Sequence, residues 1–254
     1  MDQKPLKNRT ALVTGGGGPA MGKSHCLALS KMGAHVIIFD KRYEYAQKVS
    51  DEINSTGESS EAIECDITNI NKTVSIISEL KQSNKIDILV NHAGISGMSL
   101  PLEKINEATF DKMIDINLKA AFFITQAVVP SMKKNMWGRI INIASDFSMY
   151  GSPSASHYTA TKSGILGLTK SWARELAKWR ICVNAVAPTL LKSELTIAST
   201  GEFFLDEESK KSPMGSLPLP KDVSSVVAFL ASPSADAITG QTISPNGGRT
   251  IVGI

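Results

Sequence analysis

The sequence predicts an α/β fold, a doubly wound parallel sheet with helices on both faces. Short apolar runs of strand type alternate with helical periodicity from Ala11 to about Ala187, and this alternation is typical of parallel strands joined by crossover helices. The chain has 254 residues, enough to bury a large core, and no proline- or serine-rich linker divides it. We therefore expect one domain over residues 1–254.

A glycine-rich turn follows the first strand. Residues 11–14 form an apolar strand that leads into four glycines at 15–18 and then Gly22, after which a helical pattern extends to Met32. A strand, a glycine turn and a helix N-terminus make a cradle for phosphate, because the backbone can approach closely and the first helical N–H groups point at the anion. The second strand ends in Asp40, where an acid can accept hydrogen bonds from the ribose of adenosine.

Ser145, Tyr158 and Lys162 form the most informative pattern in the chain. Ser145 ends an apolar strand, and Tyr158 and Lys162 lie one turn apart on a helix predicted over residues 156–178. Free tyrosine has a pKa of about 10, and a neighbouring lysine cation is expected to lower it. The serine hydroxyl can hold the oxygen that receives the proton. The three side chains therefore predict a general acid–base site for carbonyl chemistry.

Composition argues against several other classes of function. The formal net charge is +3, with basic residues interspersed among acids, which is typical of a solvated surface and not of a nucleic-acid interface. The three cysteines lack CxxC spacing, and the four histidines lie apart from acids, so we expect no metal site. The N-terminal residues lack an apolar signal core, and we expect no membrane span. These features predict a soluble, cytoplasmic protein.

Taken in order, these motifs make the chain similar to the short-chain dehydrogenase/reductase family, from about Lys7 to Gly248. The family's TGxxxGxG element is matched by Thr14, Gly15 and Gly22. The further matches are Asp66 with Ile67 after the third strand, Asn91, Ala93 and Gly94 in the NNAG element, the helix asparagine Asn117, Ser145 with the YxxxK pair Tyr158 and Lys162, and Pro188 in the VNAVAPG element.

The resemblance implies a Rossmann-like fold and a nicotinamide-dependent oxidoreductase. The implied catalytic residues are Asn117, Ser145, Tyr158 and Lys162. The implied cofactor contacts are Gly15, Gly18, Met21, Gly22, Asp40, Asp66, Ile67, Asn91, Ala93, Gly94, Tyr158, Lys162, Pro188 and Ser193. The implied substrate contacts are Ser145, Phe147 and Tyr158. By the same resemblance Lys162 binds the nicotinamide ribose, and Asn117 holds a water that relays protons to Lys162.

The implied reaction is hydride transfer between the nicotinamide and a secondary alcohol or ketone, with Tyr158 as the general acid–base. Asp40 favours NAD over NADP, because its carboxylate would meet the 2′-phosphate. Lys41 and Arg42 follow it and could offset that repulsion. Two alternatives stay open: an NADPH-dependent reductase of a 3-oxoacyl thioester, and a non-catalytic nucleotide-sensing protein.

Several positions depart from the family pattern, although none removes a proton-transfer group. The glycine turn is one residue longer, and Ala20 stands where a glycine is expected, so that its Cβ can crowd the pyrophosphate. The other departures are His92 for the second asparagine of NNAG, Thr189 for the glycine after Pro188, Ser216 where arginine is frequent, and Asn246 for the aspartate of DGG.

Residues 190–219 lie where the family places its substrate lid. Phe203 and Phe204 within this segment indicate a largely apolar pocket for a small alcohol or ketone. The resemblance also implies a homotetramer or a homodimer, built partly from the helices predicted over residues 107–133 and 156–178. Both helices carry apolar residues over an arc wider than one packed face requires, which supports an oligomer.

Overall fold

A computed structural model of the chain describes residues 4–83, 85–97 and 99–251. Its strands are β1 (Thr10–Thr14), β2 (His35–Asp40), β3 (Ser60–Glu64), β4 (Ile88–Asn91), β5 (Gly138–Ile143), β6 (Ile181–Val186) and β7 (Thr242–Ile243). They form a single sheet in the order β3-β2-β1-β4-β5-β6-β7, and every pair is parallel. The predicted fold class, a doubly wound parallel sheet, is confirmed.

Helices cover both faces of this sheet. They are α1 (Met21–Lys31), α2 (Tyr43–Ser55), α3 (Ile70–Ser83), α4 (Glu107–Ile114), α5 (Ala120–Asn135), α6 (Phe147–Tyr150), α7 (Ser156–Leu176), α8 (Glu194–Thr200), α9 (Glu202–Lys210) and α10 (Pro220–Ala231). Short 3₁₀ turns lie between these elements at Leu102–Lys104, Ala177–Trp179 and Pro233–Ala235. Helices α1 and α10 pack together on one face, whereas α3 and α5 pack together on the other.

The central strands are buried on both sides. Leu12 belongs to the apolar core that includes Ile124 of α5, while its neighbour Val13 belongs to the core that includes Leu29 of α1. Successive side chains of a strand point to opposite faces. A parallel sheet therefore needs apolar residues at nearly every position, which is why β1 and β2 read as unbroken apolar runs.

The helix predicted over residues 107–133 contains an irregular turn. Helix α4 continues through a π-helical turn, Asp115–Lys119, directly into α5, so that one helical segment covers Glu107–Asn135. The π turn contains Asn117. Such turns insert one extra residue into an α-helix and are frequent at functional sites. Hydrophobic periodicity does not reveal them, because the apolar residues before and after the turn keep a helical spacing.

This long helical segment corrects the expectation about membrane spans. It is long enough, and with a mean hydropathy of 1.2 apolar enough, to cross a bilayer. One face of it, however, packs on the sheet: Ala120, Ile124, Val128 and Met132 are buried in the same core as Leu12. A core helix passes the same test of length and composition, because it too must be apolar where it is buried.

The segment after β6 forms two short helices above the carboxyl ends of the strands. Ser193 caps α8 by accepting a hydrogen bond from the backbone N–H of Thr196 at 3.2 Å. Helix α9 follows directly after Gly201 and buries Leu205. Phe203 of α9 and Met214 beyond it remain largely exposed. The segment predicted as a lid thus exposes large apolar side chains among charged ones.

Candidate active site

The candidate site lies at the carboxyl ends of β1, β4 and β5. Strands β2 and β3 lie on one side of β1, and β4 to β7 lie on the other side. The strand order therefore reverses between β1 and β4, and ligands of open α/β sheets bind in the crevice that such a reversal opens. The glycine turn after β1 and residues 92–97 after β4 form its walls, and α7 places Tyr158 and Lys162 beside it.

The glycine turn is too tight for side chains. An ideal Cβ on Gly22 would lie 2.2 Å from the carbonyl oxygen of Gly15, and one on Gly15 would lie 3.0 Å from the Cα of Ala93. The Gly15 φ of +66° also favours glycine. Gly18 donates its backbone N–H to the Gly15 carbonyl at 3.2 Å, and Met21 begins α1. The first N–H groups of α1 have no partner inside the helix, so this turn fits the phosphates of a dinucleotide.

Asp40 lies where an adenosine ribose would reach the sheet. It ends β2, is buried, and accepts the backbone N–H of Arg42 at 3.1 Å. An ideal Cβ on Gly17 would lie 3.0 Å from its Oδ2 atom, so the carboxylate borders the glycine turn. The Arg42 guanidinium stacks on Tyr45 at 4.0 Å and stays within 3.8 Å of Asp40. One of the two cations that follow Asp40 is thus already held beside its carboxylate.

Asp66 and Ile67 lie on the loop after β3. Asp66 is exposed, and its carboxylate accepts hydrogen bonds from the hydroxyl and the backbone N–H of Thr68, at 2.7 and 3.0 Å. These bonds hold the pKa of Asp66 below its usual value. Ile67 is buried beside it. The pair presents a fixed acceptor and an apolar surface, which suit the edge of an adenine ring.

The proposed catalytic side chains come together as the sequence predicts. Ser145 lies just beyond β5, and the Tyr158 hydroxyl is within hydrogen-bonding reach of it. Lys162 is buried, donates to the carbonyl oxygen of Ile143 at 2.8 Å, and lies 5.8 Å from the centre of the Tyr158 ring. Phe147 meets the Tyr158 ring edge to face at 6.3 Å. The phenol is therefore fixed between an apolar ring and a serine hydroxyl.

The electrostatics of Tyr158 differ from the expectation. Burial raises the pKa of Tyr158, and the hydrogen bond from Ser145 only partly opposes that effect. Burial also lowers the pKa of Lys162 to about 8. Burial is the largest effect on the Tyr158 pKa, and the nearby Lys162 ammonium is directed at the Ile143 carbonyl. Of the two neighbours, Ser145 has the larger effect on the ionisation of the phenol.

Asn117 fixes the loop after β4. Its Oδ1 accepts the N–H of Ile95, and its Nδ2 donates to the Ile95 carbonyl, both at 2.8 Å. An ideal Cβ on Gly94 would lie 3.1 Å from the Asn117 Oδ1 and 3.4 Å from the Lys162 Nζ. The side-chain amide is thus occupied by backbone, and Gly94 keeps that loop in contact with the catalytic lysine.

Asn91 has a different place from the one predicted. Its Nδ2 donates to Thr125 at 3.0 Å and to Asn142 at 2.8 Å, and Asn142 in turn donates to Thr169 at 2.9 Å. All four side chains are buried. The side chain of Asn91 therefore joins the sheet to α5 and α7 and is turned away from the crevice. Any contact of Asn91 with a cofactor would therefore have to come from its backbone, and its place as a cofactor residue stays a prediction.

Two further predicted cofactor residues lie on the lid side of the crevice. The Pro188 carbonyl accepts the backbone N–H of Asp146 at 2.9 Å, which joins the end of β6 to the end of β5. The Ser193 hydroxyl is engaged with Thr196, at 3.0 Å from its Oγ1. Ser193 is thus the N-cap of α8, and its hydroxyl is already hydrogen-bonded within that helix end.

Sequence reasoning missed a buried histidine pair beneath the crevice. The His92 ring meets the His25 ring edge to face at 5.0 Å, and the His25 Nδ1 lies 2.8 Å from the Ser224 hydroxyl. Burial lowers the pKa of His92 to about 4, so both rings are neutral near pH 7. The signal was the departure of His92 from the NNAG element. His25 is fully buried in α1.

No metal centre accompanies these groups within the described residues. Nowhere in ranges 4–83, 85–97 and 99–251 do three histidine, cysteine or acidic side chains come together closely enough to hold an ion.

Comparisons with known proteins identify the family of this chain. A family profile described as short chain dehydrogenase matches residues 9–202. The chain belongs to the short-chain dehydrogenase family. The 3-oxoacyl-[acyl-carrier-protein] reductase FabG of Rickettsia bellii is 38% identical over 247 residues, which cover 97% of this chain and 99% of that protein.

Solved structures of this family share the whole fold. The 3-oxoacyl-[acyl-carrier protein] reductase of Brucella melitensis superimposes with a TM-score of 0.92 at 29% identity, covering 98% of this chain and 94% of that one. A gluconate 5-dehydrogenase from Burkholderia cenocepacia, solved in complex with NADP and tartrate, gives a TM-score of 0.90 at 30% identity, covering 98% and 97%. This short-chain dehydrogenase is therefore an oxidoreductase of the nicotinamide-dependent type.

The glycine turn generates the first prediction. In Gly22→Ala the new Cβ would overlap the Gly15 carbonyl, so the turn must open where the phosphates bind. Overpacking of this kind costs about 1–3 kcal/mol, and we expect cofactor affinity to fall about ten- to a hundredfold at about 1.4 kcal/mol per decade. Gly167→Ala is the matched control, because nothing lies within 4 Å of an ideal Cβ on Gly167. Fluorescence titration with NADH and NADPH measures the cofactor affinity of both variants. Equal affinity in the two variants would contradict the assignment of the glycine turn as the phosphate site.

Proposed function

We propose that this short-chain dehydrogenase reduces the 3-oxo group of an acyl thioester to a 3-hydroxy group. The observation that carries the proposal is the Tyr158 phenol held at the Ser145 hydroxyl, beside the buried Lys162, at the carboxyl end of β5. The names of relatives such as the reductase of Rickettsia bellii support the thioester. The exposed apolar lid, with Phe203 and Met214, is consistent with an acyl chain.

The chemistry follows from the positions of these side chains. A bound nicotinamide supplies the hydride, which adds to the carbonyl carbon while a proton must reach the oxygen. The Ser145 hydroxyl orients that oxygen, and the Tyr158 phenol donates the proton. Lys162, whose pKa of about 8 allows proton exchange near neutral pH, stabilises the phenolate left behind. The Asn117 side-chain amide is already bonded to the backbone of Ile95. A water that relays protons between Lys162 and solvent would therefore bind the backbone of the π turn and not this amide.

A second candidate is an NAD-dependent dehydrogenase of a secondary alcohol. Asp40 favours it, because a buried carboxylate at the end of β2 selects a ribose hydroxyl over a 2′-phosphate. The name of the gluconate 5-dehydrogenase shows that this fold also serves polyol substrates. A non-catalytic sensor is the weakest alternative, since Tyr158 and Lys162 are both present and placed for turnover.

We further propose that residues 1–254 act as one domain, with residues 190–219 as its substrate lid, in the cytosol. A single sheet crossing the described residues supports the first statement, and α8 and α9 above the strand ends support the second. The three cysteines are free and buried, as suits a reducing compartment.

Removal of the phenol tests the mechanism. Tyr158→Phe should leave cofactor affinity near normal and lower kcat by about 10²–10⁴-fold, the usual contribution of a general acid–base group. Lys162→Met should lower kcat and weaken cofactor binding as well. Tyr43→Phe, at an exposed site on α2, is the control and should be fully active. Near-normal turnover by Tyr158→Phe would refute the assigned role.

A substrate panel separates the two candidate functions. The wild-type protein is assayed with acetoacetyl thioesters in the reductive direction and with secondary alcohols, including gluconate, in the oxidative direction, each with both nicotinamide cofactors. The thioester reductase predicts the highest kcat/KM for the thioester. A higher value for an alcohol would replace the first candidate by the second, and tight NAD binding without turnover would support the sensor.

Asp40 predicts a preference for NAD(H) over NADP(H). Two like charges about 4 Å apart repel by about 4 kcal/mol at an effective dielectric constant of 20, and solvent and Arg42 reduce this. We expect NADH to bind about ten- to a hundredfold more tightly than NADPH, at about 1.4 kcal/mol per decade. Asp40→Asn should narrow that ratio, whereas Glu44→Gln on the exposed side of α2 should not. Tighter binding of NADPH by the wild type would contradict the prediction.

We also propose a homo-oligomer, with a tetramer favoured over a dimer. A groove of about 520 Å³ lies between α5 and α7 on the outer surface, lined by Phe122, Gln126, Val129, Lys133, Trp172 and Glu175. Phe122 stays 38% exposed although its ring lies 5.8 Å from Trp172. An exposed aromatic surface of this kind suits burial against a second copy around a two-fold axis.

Light scattering at micromolar concentration measures the assembly. We expect a species of two or four chains, and Phe122→Ser should weaken association because it removes the aromatic surface of the groove. Leu102→Ser, which removes an even more exposed apolar side chain away from the groove, is the control. A stable and active wild-type monomer would rule the oligomer out.

A further inference from the structure

Asp146 is a buried acid at the centre of the site with no role in the mechanism above. It follows Ser145 and is 3% exposed. Its Oδ1 accepts the Ser145 hydroxyl at 3.3 Å, and its Oδ2 accepts the Tyr150 hydroxyl at 3.4 Å. It precedes the single turn α6, but its side chain makes no capping bond to that helix. Its two hydrogen bonds are thus both to hydroxyls, and both are long.

The burial of this carboxylate is poorly compensated by its surroundings. Asp146 forms no salt bridge within the described part of the chain. Asp87, equally buried, is paired with Arg9 at 2.9 Å and Lys85 at 3.6 Å, and it also accepts the backbone N–H of Thr10. Burying a charge without a cation destabilises a fold. The ion pairs of Asp87 explain its burial as a contribution to the fold. Asp146 has no such pair, and we therefore look for its role in the function of the site.

We propose that Asp146 is a positioning residue, whose carboxylate holds the Ser145 hydroxyl and sets the electrostatic field at the Tyr158 phenol. The serine has one hydroxyl proton, and a carboxylate can only accept it. While that proton points at Asp146, the Ser145 oxygen accepts the Phe147 N–H at 3.3 Å. The hydroxyl of Ser145 thus lies between the Asp146 carboxylate, to which it is bonded, and the phenol of Tyr158, whose ionisation it influences.

The arrangement of Tyr158, Ser145 and Asp146 determines which group binds the serine proton during reduction. When Tyr158 transfers its proton to the substrate oxygen, the phenolate left behind competes with Asp146 for the Ser145 proton. The C–H bond forms with the hydride and the O–H bond forms with the phenol proton, so Asp146 itself neither gains nor loses a proton. Its negative charge opposes the phenolate, and burial of Tyr158 strengthens that opposition.

The other charged groups near the phenol come from several elements. Lys162 lies one turn away on α7, and the neutral His92 ring follows β4. Tyr150 of α6 contacts Asp146, and Arg249 of the C-terminal segment is held by Glu208 at 2.6 Å. His157 precedes Tyr158 with a buried ring. Among these, Asp146 raises the pKa of Tyr158 after the larger effect of burial, so removing its charge should lower that pKa.

The inference rests on the proposed role of Tyr158 and is tested with Asp146→Asn, which keeps the shape of the side chain. In pH profiles of kcat/KM, reduction declines as pH rises through the pKa of Tyr158, and oxidation increases. Both midpoints should move to lower pH in Asp146→Asn, while the Kd of NADH stays unchanged. Asp146→Glu should restore the midpoint toward that of the wild type. Asp51→Asn, an exposed acid on α2, controls for the loss of one charge.

A second measurement makes the test independent of substrate. The chain has four tyrosines, and the ultraviolet difference between each protein and its Tyr158→Phe counterpart isolates ionisation of that phenol. The titration of Tyr158 should occur at lower pH with Asp146→Asn than with the wild type. If Asp146→Asn does not fold, Asp146→Ser, which still accepts from Ser145, takes its place.

The possible outcomes separate the two proposals. Unchanged midpoints in both the activity profile and the ultraviolet titration would overturn the role of Asp146. A shifted titration in a protein that acts on neither thioesters nor alcohols would uphold that role and reject the proposed function. Parallel losses of melting temperature and NADH affinity, without a shift in titration, would identify Asp146 as merely structural and so overturn the inference.

Discussion

A buried row of amide and hydroxyl groups holds the active site together. The bonds from Asn91 to Thr125 and Asn142, and from Asn142 to Thr169, join two central strands to α5 and α7. Losing one partner would leave the others buried and unpaired, which costs about 1–3 kcal/mol for each group. Helix α7 is therefore fixed in position along β5, and that position brings Tyr158 to the end of the strand.

The second link between α7 and the sheet is the catalytic lysine itself. Lys162 donates to the backbone carbonyl of Ile143, two residues before Ser145. Its ammonium is thereby fixed beside the phenol, but burial also lowers its pKa to about 8. The site combines a tyrosine that resists ionisation with a lysine that releases its proton readily. That combination suits a proton that must pass in either direction near neutral pH.

Relatives with the same fold carry the names of a 3-oxoacyl-[acyl-carrier-protein] reductase and of a gluconate 5-dehydrogenase. Hydride transfer to or from a carbonyl carbon needs a proton donor or acceptor for the oxygen, and the proposed group of this kind lies at the end of β5. Differences between such substrates must come from residues around that group. Asp146 and the pair formed by His25 and His92 are features of this chain that do not follow from the family pattern.

The amino-acid sequence by itself determined the class of fold, and it predicted the glycine turn and the proposed catalytic side chains. Those features depend on local patterns: apolar runs for strands, glycine where no Cβ fits, and a spacing of four residues on one helix. The sequence predicted Tyr158 and Lys162 on one face because helical geometry is fixed over a single turn.

Only the tertiary structure decided what surrounds those residues. The pKa of Tyr158, the π turn at Asn117 and the turning of Asn91 away from the crevice each depend on partners that are distant along the chain. Burial and hydrogen bonding across elements set these properties, and neither can be read from a local pattern. Asp146 shows the same limit: beside Ser145 it is an ordinary acid in the sequence, and only its burial without a cation makes it exceptional.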